Sequence, residues 1–162
     1  MSEPPGTNET GAAAPVLLSP LRVVLDTNVL LSLFVFADSR YAALRQALEQ
    51  GQWLALADAR CLAEFRHVIA RPMFGLDAAA QQTAYGAYAA LARTVDTPPG
   101  DPVPLPQCKD GDDQKFLELA RDGGARLLVT SDKALLRLAR RKRLAHLFRI
   151  LTPDQAMAEL AS

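Results

Sequence analysis

Four acidic side chains in this sequence stand where carboxylates can act together. Asp26 ends the aliphatic run Arg22 to Leu25, and Asp132 follows Arg126 to Thr130 after a single serine. If both runs are strands of one parallel sheet, the two aspartates share the edge where ligands bind in open α/β folds, because loops and helix N-termini converge there. Asp113 starts a helix leading into the second of these strands and shares a face with Phe116, Leu117 and Ala120, which points it inward at that edge. Glu64 borders the apolar face of its own helix, between Cys61 and Val68, and can lean over the strand ends. Carboxylates gathered in this way repel one another and drive a pKa upward unless a cation compensates. An oxygen-only donor set suits hard cations, Mg²⁺ or Mn²⁺. Such ions support phosphodiester hydrolysis by acidifying the attacking water and stabilising the leaving oxygen. Singly, each residue has a plainer reading as a turn, cap or solvated helix residue; together all four lean toward one edge.

Other signals are weaker. Lys133, Arg137, Arg140, Arg141, Lys142, Arg143 and Arg149 form a basic segment uninterrupted by acid. It can grip a phosphate backbone, or serve as a solvated helix end whose cations offset the dipole. Glu64 and His67 make an ExxH pair, but His67 projects opposite Phe65 toward solvent with no second histidine nearby in sequence. Cys61 and Cys108 are far apart and lack ligand spacing, which argues against a disulfide framework or thiolate zinc site and for a reducing cytosol. Trp53 and His146 read as partly buried or packing residues, and Cys108 as a small buried one.

These side chains need elements to hold them. Leu21 to Leu25, Trp53 to Ala57, Arg126 to Thr130 and Phe148 to Leu151 read as short strands. Between them, helices are expected from Asp38 or Ser39 to Gln50, from Asp58 to before Pro72, from Asp77 to about Arg93, from Asp112 or Asp113 to Arg121, and from Lys133 to about Lys142. Asp112 faces away from the apolar side and reads as a cap. Gly51, Gly123 and Gly124 are helix stops, and Thr152-Pro-Asp-Gln is a capping box. Five prolines between Thr97 and Gln107 make an extended surface connection. The β, α alternation implies an α/β fold with a parallel sheet and helices on both faces.

The 162 residues, with 49% hydrophobic and 22% charged, suit one compact domain and exclude wholesale disorder. Eighteen basic and eighteen acidic residues cancel, so a nucleic-acid partner must be argued from local charge. Residues 1–20 read as a mobile tail, with the domain at 21–162. The N-terminus has no basic start or apolar core of signal-peptide length, and the run from Val29 to Ala37 is too short to cross a bilayer, so a cytoplasmic protein without a membrane partner is expected.

Arg22-Val-Val-Leu-Asp-Thr-Asn-Val29, Cys108-Lys-Asp-Gly-Asp-Asp-Gln-Lys-Phe-Leu-Glu-Leu-Ala120 and Leu128-Val-Thr-Ser-Asp-Lys133, in that order, resemble the PIN-domain nucleases, most closely those described as toxin components of bacterial toxin-antitoxin systems. The resemblance runs from about Leu21 to Leu160. It implies a three-layer α/β/α sandwich around a five-stranded parallel sheet of order 3-2-1-4-5, and a metal-dependent endoribonuclease whose acidic ligands map onto Asp26, Glu64, Asp113 and Asp132. Asn28 matches a position that supports the first aspartate by hydrogen bonding, Thr130 the polar residue before the last one, and Asp110 a recurrent aspartate that fixes the loop. Two departures stand out: Gly111 replaces a common proline, which loosens the loop before Asp113, and Met73 replaces a usual lysine. An RNA substrate, a cognate antitoxin and self-association into a dimer or larger assembly follow as expectations. The rival is a PIN-like module acting through RNA or protein association without useful catalysis. A phosphatase or receiver-type domain is disfavoured, because Asn28 occupies the second acidic position of its nucleophile motif.

Overall fold

The computed structural model describes residues 19–162; the tail expected over 1–20 lies outside the described residues except for Ser19 and Pro20. Five strands form one parallel sheet: β1 (Leu21–Leu25), β2 (Trp53–Ala57), β3 (Ala92–Thr94), β4 (Leu127–Val129) and β5 (Arg149–Leu151), in the order 3-2-1-4-5. Its central strand β1 pairs with β2 through Val23↔Ala55 and with β4 through Val24↔Leu128.

Period-two alternation divides the core. Val23, Leu25, Ala55, Ala57, Leu127 and Val129 face one apolar cluster, while Val24, Leu56, Leu128 and Ile150 face the other. Helices α1 (Thr27–Leu30), α2 (Ala42–Glu49), α4 (Ala78–Leu91) and α8 (Pro153–Ala161) cover the first face. Helices α5 (Gln114–Gly123), α6 (Lys133–Leu136) and α7 (Lys142–Ala145) cover the second. Between the edges, α3 (Ala59–Ile69) gives Phe65, Val68 and Ile69 to one cluster and Cys61 to the other. The result is the α/β/α sandwich of a PIN-like fold. Gly123 shows how closely α5 approaches the sheet, since a Cβ there would lie 2.6 Å from Leu56 Cδ1. Gly124, at φ 67°, closes α5 in the left-handed conformation.

Several local expectations change. The residues after Asp26 are helical at once: α1 runs into a π-helical turn over Leu31–Val35. Val29, Leu30, Leu31, Leu33 and Phe34 are all buried, and the open face, Asn28, Ser32, Val35 and Phe36, is half apolar, so the polar residues alone mark no 3.6-residue period. The helix expected to Arg93 ends at Leu91, and Ala92–Thr94 pair with Ala55–Ala57 as an edge strand. Three residues that are partly or wholly exposed carry too little pattern to read locally. The helix expected from Lys133 to Lys142 is broken: α6 continues as a 3₁₀ turn over Arg137–Arg140, then extended Arg141 starts α7. Breaking there lets Leu135, Leu138 and Leu144 all reach the core. Asp112 is no cap; its N–H donates to Asp110 Oδ1 at 3.0 Å. His146 is exposed rather than packed, whereas Trp53 is buried. The capping box at Thr152 forms, with both of its hydrogen bonds present.

Candidate functional site

Only three polar or charged residues are buried among the described residues, Asp26, Thr27 and Thr130, and all three sit where β1 and β4 end. Asp26 is 4% exposed. Its backbone N–H extends the ladder to Val129 O, and its Oδ1 accepts from Val29 N at 2.9 Å, capping α1. Thr130 Oγ1 donates to Asp26 Oδ2 and accepts from Asp132 N at 2.9 Å, so one hydroxyl ties the two strand-end aspartates together. Asp132 in turn caps α6, its Oδ1 accepting from Ala134 N at 2.8 Å and Leu135 N at 3.2 Å.

Asp113 arrives from another direction. Gln114 anchors the proline-rich connection, accepting from Cys108 N at 2.7 Å and donating to Pro106 O at 3.3 Å. Asp110 caps the 3₁₀ turn Gly111–Asp113 that follows. Gly111 does not adopt a positive φ, so the replacement of proline leaves an ordinary backbone. Asp113 caps nothing through its side chain, and its Oδ2 is buried without a hydrogen-bond partner. One carboxylate oxygen from each of Asp110, Asp113 and Asp132 lies within 4.8 Å of the others.

Glu64 closes the group from α3. Its Oε1 accepts from Thr27 Oγ1 at 2.6 Å, and Lys115 Nζ lies 3.3 Å from its Oε2. Lys115 was not among the residues singled out from the sequence. A local signal did exist: a cation in the first turn of α5 opposes the helix dipole and needs a partner elsewhere. Asp26, Glu64, Asp113 and Asp132 line a single cleft of about 290 Å³ with Asn28 and Arg71. Asn28 is exposed at its mouth, and the side-chain hydrogen bond to Asp26 comes from Thr130.

The electrostatics follow from burial and crowding. Desolvation, reinforced by Asp132, pushes Asp26 up to about 6 despite the Thr130 and Val29 hydrogen bonds. Desolvation and the charges of Asp132, Asp110 and Asp26 push Asp113 up to about 7. Such a site gains from a bound cation. Its donors are all oxygens, and the orphaned Asp113 Oδ2 is an acceptor awaiting an electropositive neighbour, so the residues present fit a hard divalent ion.

The basic segment divides. Lys133, Arg137 and Arg140 line a separate open groove of about 650 Å³ with Thr152 and Gln155. Arg141 is exposed outside that lining, and Arg149 pairs with Glu159 at 2.8 Å. His67 is exposed, and Cys61 and Cys108 are free and buried. No helix among the described residues is long and apolar enough to cross a membrane.

No curated protein matches the chain. Residues 22–134, more than half of it, match a family model described as PIN domain, a group of nuclease-like proteins that typically bind a divalent metal. The matched stretch begins one residue into β1 and ends two residues after Asp132, thereby carrying every carboxylate of the cleft, and the chain belongs to the PIN domain family.

Proposed function

We propose that this PIN-domain protein is a Mg²⁺- or Mn²⁺-dependent endoribonuclease, cytoplasmic, acting as the toxin of a toxin-antitoxin module. The observation that carries the reading is Asp113, whose buried Oδ2 has no donor while Asp110 and Asp132 crowd the same space. A buried acceptor left unpaired is costly, and carboxylates in this number select a hard cation.

Asp26, Glu64, Asp113 and Asp132 would hold the ion, with Asp110, whose carboxylate lies within 4.8 Å of those of Asp113 and Asp132, beside them. When bound, it acidifies an attacking water and neutralises charge on the leaving oxygen. The chain's own residues do the positioning. Thr130 aims the Asp26 carboxylate and holds the Asp132 backbone through one hydroxyl. Thr27 and Lys115 fix Glu64 at the wall of the cleft. Gln114 and the Asp110 cap set where Asp113 enters. Lys133, next to Asp132, opens the groove that continues to Arg137 and Arg140, and these cations take the phosphates of the strand. Arg141, beyond that groove, contributes only to the local field.

RNA as substrate, the toxin role and a cognate antitoxin rest on the likeness of the segments around Asp26, Asp113 and Asp132 to toxin-type PIN nucleases. An antitoxin that covers the acidic edge and a second copy of the chain are the proposed protein partners. Incubation of mixed RNA with the protein and Mn²⁺ tests the enzyme: cleavage is expected, stopped by EDTA and absent in Asp26→Asn. Intact RNA with the folded, metal-supplied protein would leave the binding module as the better account. Growth arrest on expression, relieved by the product of an adjacent small reading frame, tests the toxin role.

A further inference from the structure

Half-buried Phe74 lines the carboxylate cleft, and Phe36, outside that lining, packs against it with ring centroids 5.9 Å apart and planes inclined by 51°. Phe36 is 58% exposed and Met73, beside Phe74, is 78% exposed. Clustered apolar exposure of this kind marks a binding surface more often than scattered single residues do. The exposure is built into the backbone. Phe36 N–H donates to Leu31 O at 2.9 Å and Asp38 N–H to Ser32 O at 2.9 Å, which staples the end of the π-helical turn. Between them Ala37 takes φ 47°, the left-handed region that a residue with a Cβ adopts only at a cost. On the facing side, Arg71, Met73 and Phe74 line the same cleft as Asp26, Asp113 and Asp132.

We propose that Phe36 and Phe74 form a stacking platform for the unpaired nucleobase next to the phosphate held at the carboxylates. The inference rests on the nuclease reading above. Any base offers a π face to an aromatic side chain, so stacking needs no particular sequence. In a duplex those faces are covered by neighbouring bases, and the platform finds nothing to hold. Continuity with the acidic cleft favours a nucleobase over a protein partner, and exposed Arg71 on the same wall supplies a cation for an adjoining phosphate.

The test uses the full chain carrying Asp26→Asn, so that the probe survives, titrated in Mg²⁺ with a short single-stranded RNA containing 2-aminopurine and with the same strand in a duplex. Binding is expected to quench the fluorescence of the single strand. Phe36→Ala should weaken that binding about tenfold and abolish the quench, with duplex binding unchanged and Phe36→Trp restoring both. Phe36 is chosen because its exposure spares the core. Unchanged binding and quench in Phe36→Ala overturn the platform. So does a change confined to the oligomeric state, which would make the patch a protein interface. If the native chain cleaves RNA while these variants behave alike, only the platform fails; if it neither binds nor cleaves RNA, the nuclease reading fails with it.

Discussion

Asp26 and Asp58 occupy equivalent places and end in opposite states. Each follows directly on a strand at the same edge of the sheet, and each accepts from the backbone N–H three residues on, Val29 or Cys61, at 2.9 Å. Asp58, however, has Arg60 at 3.0 Å, and Arg60 also reaches Glu118 at 2.6 Å. Burial pulls Asp58 upward, but the Cys61 and Arg60 hydrogen bonds outweigh it and hold the carboxyl below its usual range. Asp26 has no cation, lies deeper, and faces Asp132, so its pKa rises. The cleft beside Asp58 is the larger, about 340 Å³, and Asp122 lines it too, yet Asp122 is paired with Arg121 at 2.8 Å. Acid at a strand end is therefore not enough to make a site; what separates the two aspartates is whether the fold pairs the strand-end carboxylate itself with a cation, as Arg60 pairs Asp58.

That contrast can be broken most directly by exchanging the two aspartates' fates. Asp26→Asn is expected to lower metal-dependent RNA cleavage at least about 100-fold, beyond the roughly 10–100-fold lost when only an outer partner of a metal ligand is removed. Asp58→Asn should leave cleavage within about twofold, because one cap hydrogen bond is weakened and the cleft is untouched. Equal losses in a gel-based cleavage assay would erase the distinction. Thr130→Val sharpens it, since the hydroxyl shared by the two strand-end aspartates is lost: cleavage should fall about 10–100-fold and stability by about 1–3 kcal/mol in urea titrations. A larger loss of stability without a loss of rate would assign Thr130 to folding alone.

Divalent metal should act on one region and not the other. Saturating Mn²⁺, at about a hundred times its Kd, stabilises a binding fold by about 2.7 kcal/mol, read as a rise in Tm of about 5–10 °C for a chain of this size. Chelation should remove the rise, Asp113→Asn should abolish it, and Asp58→Asn should retain it.

The metal-free protein should also show the contrast through pH. Asp26 and Asp113 titrate in the folded state near 6 and 7, above the ordinary 3.8, so between those values the folded chain holds more protons than the unfolded one. Their contribution therefore weakens the fold as pH rises from about 4 through 7, and Asp113→Asn should flatten that part of a Tm profile recorded in EDTA. For Asp58, lowered instead, the sign reverses: it adds stability above the ordinary value that is lost as pH falls through the folded one. The smallest effect expected is that of Asp58→Ala on stability, about 1 kcal/mol for a lost cap.

Much of this is legible in the amino-acid sequence. The aliphatic runs ending at Asp26 and Thr130, the glycine stop at Gly124 and the box at Thr152 each depend on a few adjacent residues, and each folds as read. The five-stranded order came from resemblance rather than periodicity, because β3 is an edge strand whose pairing with β2 lies in the partner and not in Ala92–Thr94. The segment after Asp26 was missed for the converse reason, since Val35 and Phe36 share its open face with Asn28 and Ser32 and blur the polar stripe. At the site, the four carboxylates could be placed on one edge from their positions, but Lys115 could not be joined to Glu64, since α3 and α5 are far apart in the chain.

By itself, then, the sequence determined the alternation of strand and helix, the caps that begin the helices, and the strand-end stations of Asp26 and Asp132, all governed by backbone geometry over a handful of residues. Only the tertiary structure decided which acids meet a cation and which are left bare: Arg60 beside Asp58, Lys115 beside Glu64, and no hydrogen-bond partner for Asp113 Oδ2. The reason is that desolvation and Coulomb energy depend on neighbours brought in by packing, and no local pattern records them.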